Sequence, residues 1–390
     1  MLNPTVMRWA RESAGMSLEQ AVAELHLGVR KLKAVELLSS YEDGEIEPDR
    51  MVLAKMAKIY RRPMLTFYLP HPPVKADRGE DFRTLPDARR VENATSLDAL
   101  LRDVHVRQRL IKTAIEDTEG AHLLSFIGSV TMQAGSAKVA DQMQAILQFN
   151  LTEFRKKRTV NDAFAYARNL VESTGVFVML IGNLGSHHSS LSAQVFRGFA
   201  LSDRVAPIIV INDQDATSAW SFTLLHEFAH LLLGVTGVSG GGYDKAIEKF
   251  CNEVASEVLL PADDLNSWAR TLNQDDDLKI RIGDYARTRK VSLSLIAYRL
   301  YTSGRINEEQ WTALSDSFYK AWVQEKEAMK AKARNTDGGP SYYVVKRHKV
   351  GTAIVELVRR TLAEGTITPT KAGKVLGVKP TNVELLLATN

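Results

Sequence analysis

The stretch TLLHEFAHLLLG, residues 223–234, constrains the fold of this chain more than any other. Apolar residues stand on every side of it, so a helix here lies inside a protein core and not on its surface. Two histidines and a glutamate within a buried helix need a partner or an ion, because uncompensated burial of such groups is costly. His226 and His230 are four residues apart and therefore sit one above the other on the same helix face. They can offer two imidazole nitrogens to one ion, with Glu227 a single position round from that face. In this HExxH spacing the ion polarises a carbonyl and activates water, and the glutamate is the general base. Five-residue strings of this kind also arise by chance in helices that bind nothing.

Three features weigh against chance. The flanks are apolar, a second acidic helix follows at short range, and a strand precedes. Catalytic zinc keeps three protein ligands and one open position, so a third ligand must come from elsewhere. The following helix, KAIEKFCNEVASEVLL, offers Glu248, Glu253 and Glu257, and spacing alone does not choose among them. FRGFAL, residues 196–201, reads as an exposed edge strand of the kind to which extended peptides add. The residues by themselves point to a metallopeptidase.

The 390-residue length predicts two or three domains. Residues 1–72 read as short amphipathic helices, with Ser17 and Gln20 in capping-box spacing and Val6, Trp9 and Ala10 on one face of the first helix. Residues 73–118 read as a Pro-rich linker followed by a long polar helix. Residues 119–333 carry the HExxH helix, the apolar strands GVFVMLIG and APIIVI, a glycine-rich break GVTGVSGGGYD, and further helices. After the linker NTDGGPS, residues 340–390 form a small helical unit, a second binding module or a cap. The expected class is mainly α with α+β.

The net charge of +4 permits contact with nucleic acid without arguing for it. Cys251 is the one cysteine, so no intramolecular disulfide forms, and it reads as a small buried hydrophobe. No apolar run reaches the length of a membrane span, and the first residues lack a secretory apolar region; a cytoplasmic location is expected. His187 and His188 lie in a Gly/Ser-rich loop and read as a surface pair.

FTLLHEFAHLLLG and IEKFCNEVASEVLLP, with the preceding FRGFAL, resemble the ImmA/IrrE-type (M78-like) bacterial metallopeptidases. In that family the third ligand is a glutamate four residues before an asparagine. Glu248 stands four before Asn252, so the resemblance favours Glu248 over Glu253. It implies His226, His230 and Glu248 as ligands of zinc, or alternatively manganese, and Glu227 as the base. Leu260 stands before Pro261 where the family usually has methionine.

MRWARESAGMSLEQAVAEL, YEDGEIEPDRMVLAKMAKIYRRPMLTFYLPHPP and DFRTLPD are similar to the repressor-type (XRE-like) helix-turn-helix domain often fused ahead of such peptidases. Together the two resemblances span about residues 1 to 305. Ahead of YEDGE this chain is longer than the usual pattern. The resemblance implies a regulatory endopeptidase whose protein substrate is a helix-turn-helix repressor, acting in stress or mobile-element responses. If residues 17–38 form the two helices of the motif, Arg30, Lys31 and Lys33 begin the second and lie near bases or phosphates. Glu42, Asp43, Glu45 and Glu47 leave this region almost neutral, so a protein-docking surface competes with a DNA-gripping one. ARTRKVSLSLIAYRL and TPTKAGKVLGVKPTNVELLL also resemble helix-turn-helix segments; the first is expected to be a packing element. The competing function is a DNA-binding or antitoxin-like regulator that uses an inactive peptidase fold as scaffold.

Overall fold

The computed structural model describes residues 2–27, 31–73, 87–118, 121–184, 190–238, 245–272, 277–334, 339 and 341–388. It is mainly helical with one small sheet, and it divides into two compact units, Met1–Asp103 and Val104–Asn390.

The first unit begins with α1 (Pro4–Ser13), α2 (Leu18–Leu25), α3 (Lys31–Asp43) and α4 (Arg50–Ile59). Asn3 caps α1, whose Pro4 at the first position already has the helical φ and no N–H to leave unbonded. Ser17 and Gln20 form the expected capping box at α2. Met7, Leu25, Leu38, Met56 and Tyr60 fill the core between these helices. Arg11 clamps α1 onto the end of α3: its Nε and Nη2 donate to the two carboxylate oxygens of Glu42 at 2.7 and 2.8 Å. Arg30 lies outside the described residues. Lys31 opens α3 with its side chain outside the description, and Lys33 is exposed. α5 (Asp87–Glu116) is the long helix expected within residues 73–118 and carries the boundary to the second unit.

In the second unit α6 (Ser136–Leu147), α7 (Leu151–Lys156) and α8 (Val160–Ser173) lead into β1 (Phe177–Leu180). β2 (Gly198–Leu201) and β3 (Ile208–Ile211) follow, then α9 (Thr217–Leu233) and β4 (Gly237–Val238). The strand order is β1-β3-β2-β4, with β1 parallel to β3 and the other pairs antiparallel. One expectation is corrected here. β2 is not an exposed edge: all four of its residues are buried, and Phe199 and Ala200 pair with β4. β4 comes from within the segment read as a glycine-rich break, where two residues turn back onto the sheet.

The HExxH helix α9 packs across β2 and β3 with α8 beside it, and this sandwich explains why it is apolar on every side. α10 (Lys245–Leu259) packs against α9 and α6, bringing an acidic helix alongside the histidines. α11 (Ala262–Ala269), α12 (Leu278–Arg289), α13 (Leu293–Thr302) and α14 (Glu308–Arg334) complete the body. The segment ARTRKVSLSLIAYRL spans α12 and α13, and Val291, Leu295, Ile296 and Leu300 are buried in the main core, so it packs as expected.

The last four helices are α15 (Tyr342–Val350), α16 (Thr352–Ala363), α17 (Pro369–Leu376) and α18 (Val383–Ala388). A buried polar joint, together with the Lys349–Asp213 ion pair, ties them to the body. Arg168 on α8 donates to Glu172 at 3.3 Å, to the carbonyl of His348 at 2.6 Å and to the carbonyl of Val178 on β1. Glu172 accepts the N–H groups of Thr352 and Ala353, capping α16, whose own cap residue Gly351 has no side chain to do so. Gly351 has φ +99°, and a Cβ there would meet Arg168, Glu172 and the Val178 carbonyl at 2.5–2.6 Å. Only glycine fits.

Candidate metal centre

α9 ends at Gly234, whose left-handed conformation returns its N–H to the carbonyls of His230 and Leu231. His226, Glu227 and His230 are all buried on this helix, Glu227 with no exposure at all. The Nε2 atoms of the two histidines face each other at 3.1 Å. Glu248, in the first turn of α10, completes the group: Oε2 lies 3.3 Å from His226 Nε2 and Oε1 lies 3.2 Å from His230 Nε2. Among the described residues, this is the cluster of three metal-ligating side chains whose donor atoms fall within 4.8 Å of one another.

The other acids of α10 face elsewhere. Glu253 is five residues on, about 140° round the helix, and pairs with Lys249 at 3.9 Å. Glu257 pairs with Arg299 at 2.8 Å and accepts the N–H of Ala262. His187 and His188 lie outside the described residues.

The donor set suits a small tetrahedral cation. Bonds of about 2.0–2.1 Å at tetrahedral angles place neighbouring donors roughly 3.3 Å apart. The three observed separations, 3.1–3.3 Å, match that spacing. Without a cation a proton fills the role. Burial pulls the His230 imidazole down, but hydrogen bonds to Cys251 and Glu248 and the charge of Glu227 outweigh it and raise it from 6.5 to about 11. Burial pushes Glu248 up, yet its bonds to the two imidazoles bring it from 4.5 down to about 2. The His230 contribution to stability is complete below pH 6.5 and lost as pH rises through about 11. The Glu248 contribution is complete above pH 4.5 and lost as pH falls through about 2. The metal-free pair is therefore most stabilising between pH 4.5 and 6.5.

A ligand imidazole must be neutral, so binding a divalent ion at about pH 7 should release about one proton from His230. Titration calorimetry in two buffers of different ionisation enthalpy measures this directly. Heats that do not change with the buffer would contradict it.

Two neighbours of the site carry no signal in the motif itself. Cys251, fully buried one turn from Glu248, hydrogen-bonds His230. Gly198 lies directly beneath α9: a Cβ there would meet Thr223 Cγ2 at 2.6 Å, Glu227 Oε1 at 2.9 Å and the Val210 carbonyl at 3.0 Å. A glycine inside an apolar strand is the sequence signal for such an approach. Alanine at 198 should cost about 1–3 kcal/mol, since the helix must lift from a sheet that cannot yield. Denaturant unfolding reads the loss, and a wild-type midpoint would show that the strand gives way.

Residues 181–301, from the end of β1 through α13, match the family model of the peptidase M78, IrrE N-terminal-like domain. No curated protein and no solved structure matches the chain. The matched segment contains all four residues of the buried site and is similar to metallopeptidase domains in general.

Proposed function

From this peptidase-family match, we propose that the chain is a metal-dependent endopeptidase of regulatory type. The observation that carries the reading is the convergence of His226, His230 and Glu248 on one buried point, with Glu227 beside it. The three donors would hold a zinc or manganese ion; two imidazoles and a carboxylate suit either. Such an ion, when bound, polarises the scissile carbonyl and makes water acidic enough to attack at neutral pH. Glu227 takes the proton from the attacking water at its carboxylate and delivers it to the leaving amine. Gly198 leaves room for that carboxylate against β2.

The substrate we propose is a regulatory protein with a helix-turn-helix domain, cleaved in a stress or mobile-element response in the cytoplasm. Helices α1 to α4 would recognise that target, a protein-docking role that agrees with their nearly balanced charge. Arg30, Lys31 and Lys33 are the residues through which this unit would instead grip DNA. Mass spectrometry of new N-termini, in cells carrying wild type and in cells carrying Glu227→Gln, tests the reading. Termini within a repressor that appear only with wild type support it. Identical termini together with full biological function of the variant would favour a regulator that uses the fold as scaffold.

A further inference from the structure

We propose that the C-terminal helices α16 to α18 form a module that binds double-stranded DNA, with α18 as the helix that enters the major groove. The inference goes beyond the peptidase reading and does not depend on it.

Charge distribution is the first observation. Residues 341–390 hold eight Lys and Arg against three Glu, a net of +5, whereas the whole chain has +4. The first 340 residues are thus left with a net of −1, and the excess positive charge of the molecule resides in its last fifty residues. A duplex presents closely spaced phosphates, and clustered cations are its electrostatic footprint.

Backbone geometry is the second. α17 ends at Gly377 in the left-handed conformation, with φ +67°, and a short turn leads through Pro380–Asn382 into α18. That is two helices joined by a tight turn with glycine at its start, the helix-turn-helix arrangement. The turn can close because residue 373 is also glycine: a Cβ there would meet the Val378 carbonyl at 2.9 Å and Pro380 at 3.2 Å. Ala372, Val375, Leu376, Val383 and Leu386 are buried, so both helices are fixed by packing, with α17 lying against α16.

The side chains left outside are those a duplex would meet. Lys371 and Lys374 on α17, and Lys379 in the turn, are exposed. The helix before the reading helix crosses the phosphate backbone in such motifs, which is where these lysines stand. Arg107 of α5 and Lys346 of α15 add two cations at the turn, both about 3.0 Å from where a Cβ of Gly377 would be. Thr381 and Glu384 are exposed, and Asn382 half-buried, at the start of the reading helix. Asparagine pairs with adenine and glutamate accepts from cytosine in the major groove. The groove of duplex RNA is too narrow to admit a helix, so DNA is the ligand.

The test is fluorescence anisotropy of the full-length protein with a labelled mixed-sequence DNA duplex of about 30 base pairs, at roughly 50 to 200 mM salt. Wild type should bind with a steep salt dependence. The triple variant Lys371→Glu, Lys374→Glu, Lys379→Glu should weaken binding at least ~30-fold, and the slope of log K against log salt should fall by about 3. The milder triple change to glutamine should lower the slope equally, which guards against a folding defect. Lys138→Glu with Lys320→Glu, two exposed lysines outside these helices, should bind like wild type. The proposal is overturned if wild type does not bind at the lowest salt, or if the C-terminal variants bind normally. An RNA duplex of the same sequence bound as tightly, or binding lost on Lys31→Glu with Lys33→Glu but kept by the C-terminal variants, overturns it too.

Discussion

Glutamine in place of Glu227 should slow peptide-bond cleavage by about 10²- to 10⁴-fold while the protein stays folded and keeps its metal. Glu227 is completely buried between α9 and β2, with an oxygen close to the Gly198 backbone. Glutamine has nearly the same shape, so the packing survives. What it lacks is an oxygen that can take a proton, and the proposed chemistry needs one at that atom. The metal should stay, because the three donors lie on other side chains. Timed mass spectrometry of substrate fragments, with metal content measured on the same samples, separates the two properties. Cleavage within about threefold of wild type would remove Glu227 from the role of base. Simultaneous loss of metal and activity would make it a structural residue.

The second large effect is at the Arg168 joint. Arg168→Met should destabilise the second unit by about 3–5 kcal/mol, because it leaves the Glu172 carboxylate buried without its cation. Burial pulls the Arg168 guanidinium down and pushes the Glu172 carboxyl up, so each depends on the other to stay charged. The same change releases the carbonyls of Val178 and His348, loosening β1 from α15 together. Adding Glu172→Gln should recover much of the loss, since an amide no longer carries an uncompensated charge. Denaturant midpoints of the single and double variants measure this. Equal midpoints for wild type and Arg168→Met would show the joint to be dispensable.

Much of the site was legible in local spacing. An i, i+4 pair of histidines on a helix must share a face, so His226 and His230 needed no tertiary information. Three of the four strands and most helices were legible for the same reason, as their apolar runs and caps are written within ten or fifteen residues. The third member of the cluster was not. Which acid of α10 faces α9 depends on how two helices pack, and Glu248, Glu253 and Glu257 differ only in register. The family resemblance favoured Glu248, the acid that the fold turns toward the histidines.

The misread edge strand has a similar origin. β4 is two residues long and lies in a glycine-rich segment, below the length at which alternation can be seen. The joint at Arg168 was invisible for a different reason: its His348 partner is 180 residues away. The left-handed Gly351 that makes room for it stands alone between two helices, without the turn residues that usually announce such a position.

His226, His230 and Glu248 are proposed to hold one divalent ion. Metal content by mass spectrometry, on purified wild type and on His226→Ala, Glu248→Ala and Glu253→Ala, tests it most directly. Wild type and Glu253→Ala should each carry about one zinc or manganese per chain, while His226→Ala and Glu248→Ala should carry almost none. Wild type that stays empty after addition of either metal would contradict the claim, as would a Glu248→Ala protein that remains fully loaded.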